Sequence, residues 1–340
     1  MKLATYKDGS RDGQLVVVSR DLTTAHYATG IASRLQQALD DWNFMAPQLQ
    51  DLYDALNAGR ARHAFPFEPE RCMAPLPRAY QWLDGSAYLN HVELVRAAGR
   101  ADVPERFYTE PLMYQGGSDD FLGPCDDIRV ADEAFGIDFE GELAVVTGDV
   151  SMGATPEQGL DAVRLLMLAN DVSLRELIAA EVETRLGLVQ GKPSTAFSPV
   201  AVTPDELGDA WHDCKLHRPL NVQLNGQPFG CPDAGQDMAF SFAQLVAHVT
   251  KTRAMAAGSI VGSGTVSNKH GSLHGSRIAH GGVGYACLAE LRMVETIEGG
   301  APVTPFLRFG DRVRIEMFDA TGQSIFGAID QTVRRVPAPE

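Results

Sequence analysis

FGIDFEGELAVV (residues 135–146), LLMLANDVSLRE (165–176) and QGKPSTAFSP (190–199) form the stretch around which the rest of the chain arranges itself. Alternate side chains of an extended segment share a face, so Glu140 and Glu142 project together with Gly141 turned away between them. The apolar run Leu143-Ala144-Val145-Val146 follows at once and favours a strand. Like charges held side by side repel, the more so when partly buried, and a strand rarely keeps such a pair unless a cation sits between them. Asp171, at the end of the second apolar run, supplies a third carboxylate. Three carboxylates with no nearby Cys or suitably spaced His point to a hard ion, Mg²⁺ or Ca²⁺. The plain alternative is an E-x-E pair on a solvated strand face. Its neighbours argue against it: Arg175 lies four residues after Asp171, and Lys192 stands in the GKPS turn. Anion-binding donors beside a divalent ion suit a substrate with carboxylate or enolate oxygens.

The chain has 340 residues, 44% apolar and 21% charged, which describes a globular protein able to bury a large core. Its net charge of −15 offers no basic face for a phosphate backbone and excludes nucleic acid as the expected partner. Five cysteines, odd in number and without C-x-x-C spacing, read as reduced thiols of a cytoplasmic protein, with Cys287 a small buried residue. The opening residues carry no signal-peptide core, and no apolar run reaches membrane-spanning length.

In chain order, KLAT (2–5) and QLVVVS (14–19) predict a hairpin, and a helical pattern runs over 31–59, interrupted at Met45-Ala46-Pro47. The stiff link through Pro75-Leu76-Pro77 puts a boundary near residue 74, giving units 1–74 and 75–340. A helix after Asp84 would carry His91, Leu94 and Val95 on one side, where a lone histidine reads first as a structural hydrogen-bonder. YTEPLMYQGGSDDFLGPCDDI reads as loop. Thr155-Pro156-Glu157 starts a helix that ends before the strand at Leu165. Ser173 and Glu176 fit a capping box for a short helix with Arg175 in its first turn. Asn225-Gly226 marks a hairpin, and Phe240–Thr252 reads as a helix. Gly262, Gly264 and Thr265 can bring backbone close to a ligand, without nucleotide-binding spacing. YACLAELRMVETI and FGDRVRIEMFDATGQSIFGAI read as closing antiparallel strands.

DFEGE, NDVSLR, GKPST and GSGTVSN, in this order and spacing, resemble the fumarylacetoacetate hydrolase family over essentially the whole chain. The resemblance implies an α+β, β-rich fold: a small N-terminal accessory domain, then a mixed β-roll catalytic domain that forms a homodimer. It implies that Asp84, Glu140, Glu142 and Asp171 hold Mg²⁺ or Ca²⁺, and that His91, seven residues after Asp84, activates water. It implies that Arg175 and Lys192 bind substrate and stabilise negative charge, and that Tyr114 and Thr265 contact substrate oxygens. Two positions depart from the pattern. Ile178 stands where the animal enzymes have a glutamine. His280 stands in the turn where the resemblance expects a glutamate that orients the histidine.

The leading expectation is a metal-dependent hydrolase that cleaves the C–C bond of a 1,3-diketone acid, fumarylacetoacetate or a related acylpyruvate, in aromatic or tyrosine degradation. A small diketo or dicarboxylic acid is then its only expected partner besides a second copy. The alternatives are a 2-oxo acid hydratase or decarboxylase on the same metal site, and a non-catalytic protein that keeps the ion for stability.

Overall fold

A computed structural model describes residues 1–271 and 273–336; residue 272 and residues 337–340, the end of the expected second unit, lie outside the described residues. Strands β1 (Lys2–Tyr6) and β2 (Gln14–Val18) form the expected hairpin, with Lys2 opposite Val18, and β3 (Thr24–Tyr27) adds to it. Helices α1 (Leu35–Asp40) and α2 (Trp42–Asn57) follow, then β4 (Phe65–Pro66). The break between the helices falls at Asp41 and not at Pro47. Asp41 leaves helical geometry while its carbonyl accepts the Phe44 and Met45 N–H groups that open α2. Pro47 lies inside α2 on the exposed side, where water can meet the carbonyl that loses its partner.

The chain then runs through β5 (Trp82–Gly85), α3 (Leu89–Ala98), β6 (Met113–Gly116), β7 (Ile128–Val130), β8 (Ile137–Asp138) and β9 (Gly141–Thr147). Next come α4 (Pro156–Ala162), β10 (Val163–Asn170), β11 (Ser173–Leu174), α5 (Arg175–Thr184), β12 (Ala196–Phe197) and β13 (Ala201–Val202). After two small strands, β14 (Trp211–His212) and β15 (Lys215–Leu216), the Asn225-Gly226 hairpin joins β16 (Leu220–Leu224) to β17 (Gln227–Gly230). The last elements are α6 (Phe242–Val249), β18 (Ser259–Gly262), α7 (Leu288–Gly299), β19 (Arg312–Met317) and β20 (Ile329–Arg335).

Among the described residues these strands build an eleven-stranded sheet, ordered β4-β3-β2-β1-β13-β10-β9-β18-β5-β6 with β12 added to β10. A five-stranded sheet is ordered β17-β16-β19-β20-β7. Both are mixed, since β18 runs parallel to β5 and β20 parallel to β7. Leu143 and Val145 of β9 share a core with Val222, Val313 and Ile315 of the smaller sheet. Ala144 and Val146 point the other way, into a core with Leu35, Leu39 and Leu49 of α1 and α2. Both faces of β9 are therefore covered, which is why its sequence is continuously apolar after Glu142.

Four further expectations are corrected. Leu288–Gly299 is a helix: Leu, Ala, Glu, Arg and Met favour one, Cys287 Sγ caps it by accepting from Glu290 N–H, and Gly300 ends it in the left-handed region. The segment read as loop contains strand β6, which pairs with β5. Ser173 does not cap α5; it lies in the β11–β8 ladder, and Leu174 occupies the cap position. Leu94 faces the core, but Val95 is exposed.

Glu206 ties the N-terminal elements to the rest: its Oε1 accepts from Arg20 Nε at 2.9 Å and from the Tyr53 hydroxyl at 2.6 Å. Burial raises its carboxyl, but these hydrogen bonds outweigh burial and hold it below the usual range. A depressed folded-state value stabilises fully above the ordinary value of 4.5 and loses that effect as the pH falls through the folded value. Glu206→Gln should therefore lower stability in denaturant titrations at pH 7 by about 1–2 kcal/mol, discounted for the exposed arginine. The difference from wild type should close as the pH is taken down through the acid range.

Candidate active site

Strand β9 lies between β10 and β18, so the residues that follow β10 and those beyond β18 converge on Glu142. Glu142 stands opposite Ala169, and Asp171 comes directly after β10, its N–H donating to the Glu140 carbonyl at 3.0 Å. Beyond β18, strand β5 brings Asp84 level with Gly262 on one side and Tyr114 on the other. A Cβ at Gly262 would lie 2.3 Å from Asp84 Oδ1 and 2.5 Å from the Trp82 ring, so only glycine there leaves room for Asp84. Asp84 Oδ1 also accepts from Gly264 N–H at 2.9 Å. One carboxylate oxygen from each of Asp84, Glu142 and Asp171 then lies within 4.8 Å of the others.

Glu140 projects beside this cluster and meets cations. Arg175 Nη2 donates to its Oε1 at 2.5 Å, and Lys192 Nζ to its Oε2 at 2.9 Å. Arg175 Nε also donates to Asp138 Oδ2 at 2.9 Å. Asp138 in turn receives the Leu288 and Ala289 N–H groups that open α7. Lys192 Nζ donates further to the Asp171 carbonyl and to Ser173 Oγ, and stands 2.5 Å from Asp171 Oδ2. The other groups on Asp171 are Thr195, at 2.6 Å from Oδ1, and the Tyr114 hydroxyl, at 2.5 Å from Oδ2.

Five buried carboxylates (Asp84, Asp138, Glu140, Glu142 and Asp171) thus have, among the described residues, only Arg175 and Lys192 as salt-bridge partners, so that with all five ionised three negative charges would be uncompensated. Both oxygens of Glu142 are buried with no hydrogen-bond partner among the described residues. Burial, then neighbouring carboxylates (Asp171 for Asp84, and Asp84 for Glu142), push Asp84 and Glu142 well above the usual carboxylate range. Glu140 goes the other way: burial raises it, but Arg175 and Lys192 prevail and hold it below that range. For Lys192 burial opposes the charge, while Asp171 and Glu140 keep the ammonium firmly protonated. Oxygen donors with excess negative charge and an unpartnered carboxylate fit a hard divalent cation.

Asp84, His91, Tyr114, Glu140, Glu142, Arg175, Lys192 and Thr265 line one pocket of about 160 Å³, and Asp171, which does not line it, is held against Tyr114 and Lys192. His91 sits in the first turn of α3, and its Nδ1 lies 2.8 Å from Glu290 Oε1. Glu290 escaped the sequence reading. The signal was present, since Glu290 is an acid set in the apolar run CLAEL, as Glu142 is in its own. His280, where that partner was sought, ends an exposed 3₁₀ turn away from the pocket. Ile178 is on the pocket wall, and so is Leu188, which also went unnoticed.

Residues 81–334 match the family described as Fumarylacetoacetate (FAA) hydrolase C-terminal, and residues 1–78 match Fumarylacetoacetase N-terminal domain 2. The chain belongs to the fumarylacetoacetate hydrolase family. A curated member, 2,4-didehydro-3-deoxy-L-rhamnonate hydrolase of Sphingomonas sp. (strain SKA58), is 31% identical over 160 residues, 46% of this chain and 53% of that protein. The match therefore spans about half of that relative's length. Two solved structures align over 99% of this chain and 100% of their own. Fumarylacetoacetate hydrolase from the psychrophile Exiguobacterium antarcticum has a TM-score of 0.64 at 18% identity. Maleylpyruvate hydrolase from Sphingobium sp. SYK-6, in complex with manganese(II) ion and pyruvate, has 0.63 at 15%. At these identities the likeness establishes the fold of this family member. Among the described residues no helix is long and apolar enough to cross a membrane.

The charge imbalance makes a thermal-shift prediction. A divalent cation at about 100 times its dissociation constant should stabilise the protein by about 2.7 kcal/mol, or about 3–4 °C for a chain of this length. Glu142→Gln should abolish the shift, yet without metal it should be about as stable as the wild type, because burial and the neighbouring carboxylates favour the neutral form of Glu142 and glutamine is close to it in shape. A large loss of metal-free stability in Glu142→Gln would contradict the electrostatics described here. Gly262→Ala, which crowds Asp84, should lower stability by about 1–3 kcal/mol and weaken the metal-induced shift.

Proposed function

We propose that this protein is a metal-dependent hydrolase cleaving the C–C bond of a 1,3-diketone acid of the fumarylacetoacetate or acylpyruvate type, with residues 75–340 as its catalytic unit and 1–74 as an accessory unit. The observation that carries the reading is the His91–Glu290 pair beside a buried carboxylate cluster. A histidine held in one orientation by a buried carboxylate suits the water activation that hydrolysis requires and that decarboxylation does not. The manganese and pyruvate in the Sphingobium maleylpyruvate hydrolase are consistent with it. Asp84, Glu142 and Asp171, with Glu140 as the fourth carboxylate, would hold Mg²⁺, Ca²⁺ or Mn²⁺. Such an ion supplies Lewis-acid polarisation of the two chelating oxygens of a diketone acid.

The chain's own groups account for the remaining chemistry. The Glu290 carboxylate accepts from His91 Nδ1–H and fixes the tautomer, leaving the Nε2 lone pair to take a proton from the attacking water. The water oxygen bonds to the acyl carbonyl carbon, and the C–C bond to the diketone methylene then breaks. Its electron pair becomes the enolate of the departing oxo acid, a 2-oxo acid from an acylpyruvate and a 3-oxo acid from fumarylacetoacetate. Lys192 and Arg175 place positive charge at the pocket floor where that enolate forms. Proton return to the enolate carbon releases two acids. The Tyr114 hydroxyl and Thr195 orient Asp171, and Thr265 lies on the wall within reach of substrate oxygens.

The test is the decay of the enol absorbance of fumarylacetoacetate and acylpyruvates, with Mg²⁺ or Mn²⁺ and then with chelator. Decay should require the metal, and His91→Ala should reduce kcat by about 10²–10⁴-fold with its fold intact. Glu290→Gln should produce a smaller loss. Turnover of 2-oxo acids by hydration or decarboxylation that survives His91→Ala, with no diketone cleaved, would replace the hydrolase by a lyase.

A further inference from the structure

The pocket is charged at its floor and apolar at its outer wall. That wall consists of Ile178, on the face of α5 one turn beyond Arg175, and Leu188, on the loop that leads to Lys192. Both are built into place. Gly191 lets α5 close down on the loop: a Cβ there would lie 2.4 Å from Ile178 Cγ1. Glu181 then clamps the loop, with Oε1 accepting the Val189 and Gln190 N–H groups and Oε2 the Gly191 N–H, all at 2.8–2.9 Å. An exposed loop thereby presents Leu188 in a defined position.

The permanent cations among the lining residues are Arg175 and Lys192, and each already touches two buried carboxylates. Even with a divalent ion bound, the five carboxylates would leave this end of the molecule with surplus negative charge. A second carboxylate on the substrate would find no unpaired cation among the lining residues at the Ile178–Leu188 wall, and a charge laid against these half-buried apolar side chains loses part of its hydration without gaining a partner. An alkyl arm would bury surface there instead.

We propose that Ile178 and Leu188 form a specificity subsite for a neutral, apolar acyl arm, so that the preferred substrates are 2-oxo acids with a single carboxylate. This narrows, and rests on, the reading of the pocket as a diketone-acid site. The wall sets which acyl group is accepted, while the floor handles the 2-oxo acid end common to the acylpyruvates.

Calorimetric binding of 2-oxoheptanoate and 2-oxoheptanedioate to the Mg²⁺-loaded protein tests it without requiring turnover. The monoacid should bind at least about tenfold more tightly. Ile178→Ala should cost the monoacid about fivefold in affinity and leave the diacid within about twofold. Ile178→Lys should reverse the order. Helix α5 buries none of its residues, so both variants should fold, and their melting curves report this directly. Equal or tighter diacid binding by the wild type, equal losses for both ligands in Ile178→Ala, or failure of both to bind would overturn the subsite. A parallel turnover assay with hexanoylpyruvate and its terminally carboxylated counterpart separates the two readings. Monoacid preference in binding with neither compound cleaved removes the hydrolase and leaves the subsite standing. Faster cleavage of the carboxylated compound removes the subsite and leaves the hydrolase.

Discussion

Negative charge buried without enough positive charge is the constraint to which the rest of this molecule answers. Glu142 sits in an interior strand of a large sheet with neither oxygen hydrogen-bonded among the described residues, and Asp84 on β5 and Asp171 just past β10 come close to it. A fold organised for stability alone would place a leucine there, since burying an unpaired carboxylate costs several kcal/mol. The arrangement makes sense as a cradle whose stability is completed by a bound cation. Around it the chain compensates only in part: Arg175 and Lys192 satisfy Glu140 and Asp138, and the N-terminus of α7 adds two backbone donors to Asp138.

The sheets exist in a form that makes this convergence possible. The pairing of β9 with β10 and β18 fixes its register, and a slip of one residue would turn Glu142 away from Asp84. The parallel pairing of β18 with β5 carries Asp84 across the sheet, and Gly262 leaves the space through which its side chain reaches. Helices carry the reactive groups at the edge of this frame: α3 provides His91, α7 its carboxylate partner, and α5 both Arg175 and Ile178. Strands supply most of the carboxylates, while helices and loops supply the groups around them, in parts of the fold where local change disturbs the core least.

Much of this was legible in the sequence because strand parity is strict. Two glutamates separated by one residue before an apolar run share a face, and an aspartate closing the neighbouring run joins them. What could not be read depended on partners distant in the chain. Tyr114 lies on a short strand that exists only because β5 offers it an edge; its own residues give no periodicity. Ser173 carries the local signature of a helix cap, but the ladder with Asp138 and the ammonium of Lys192 compete for it and prevail. The helix at Leu288–Gly299 was hidden by an apolar spacing that suits either a strand or a buried helix, and with it went Glu290, whose meaning depends on a histidine 199 residues away. The segments matched by the two family descriptions meet near residue 80, yet in space they share one sheet.

That shared sheet bears on how such a protein can be inherited. Strand β1 is hydrogen-bonded to β2 on one side and to β13 on the other, with Lys2 facing Val202 and Leu3 facing Ala201. The Lys2 ammonium is buried against the Ser324 and Ile325 carbonyls, near the other end of the chain. Each segment expressed by itself would carry a raw strand edge, open to pairing with any passing chain. Shuffling of gene segments at this junction is thus restricted to partners that reproduce the seam, and the two segments should drift in sequence as a coupled pair even though the residues lining the pocket all lie in the second.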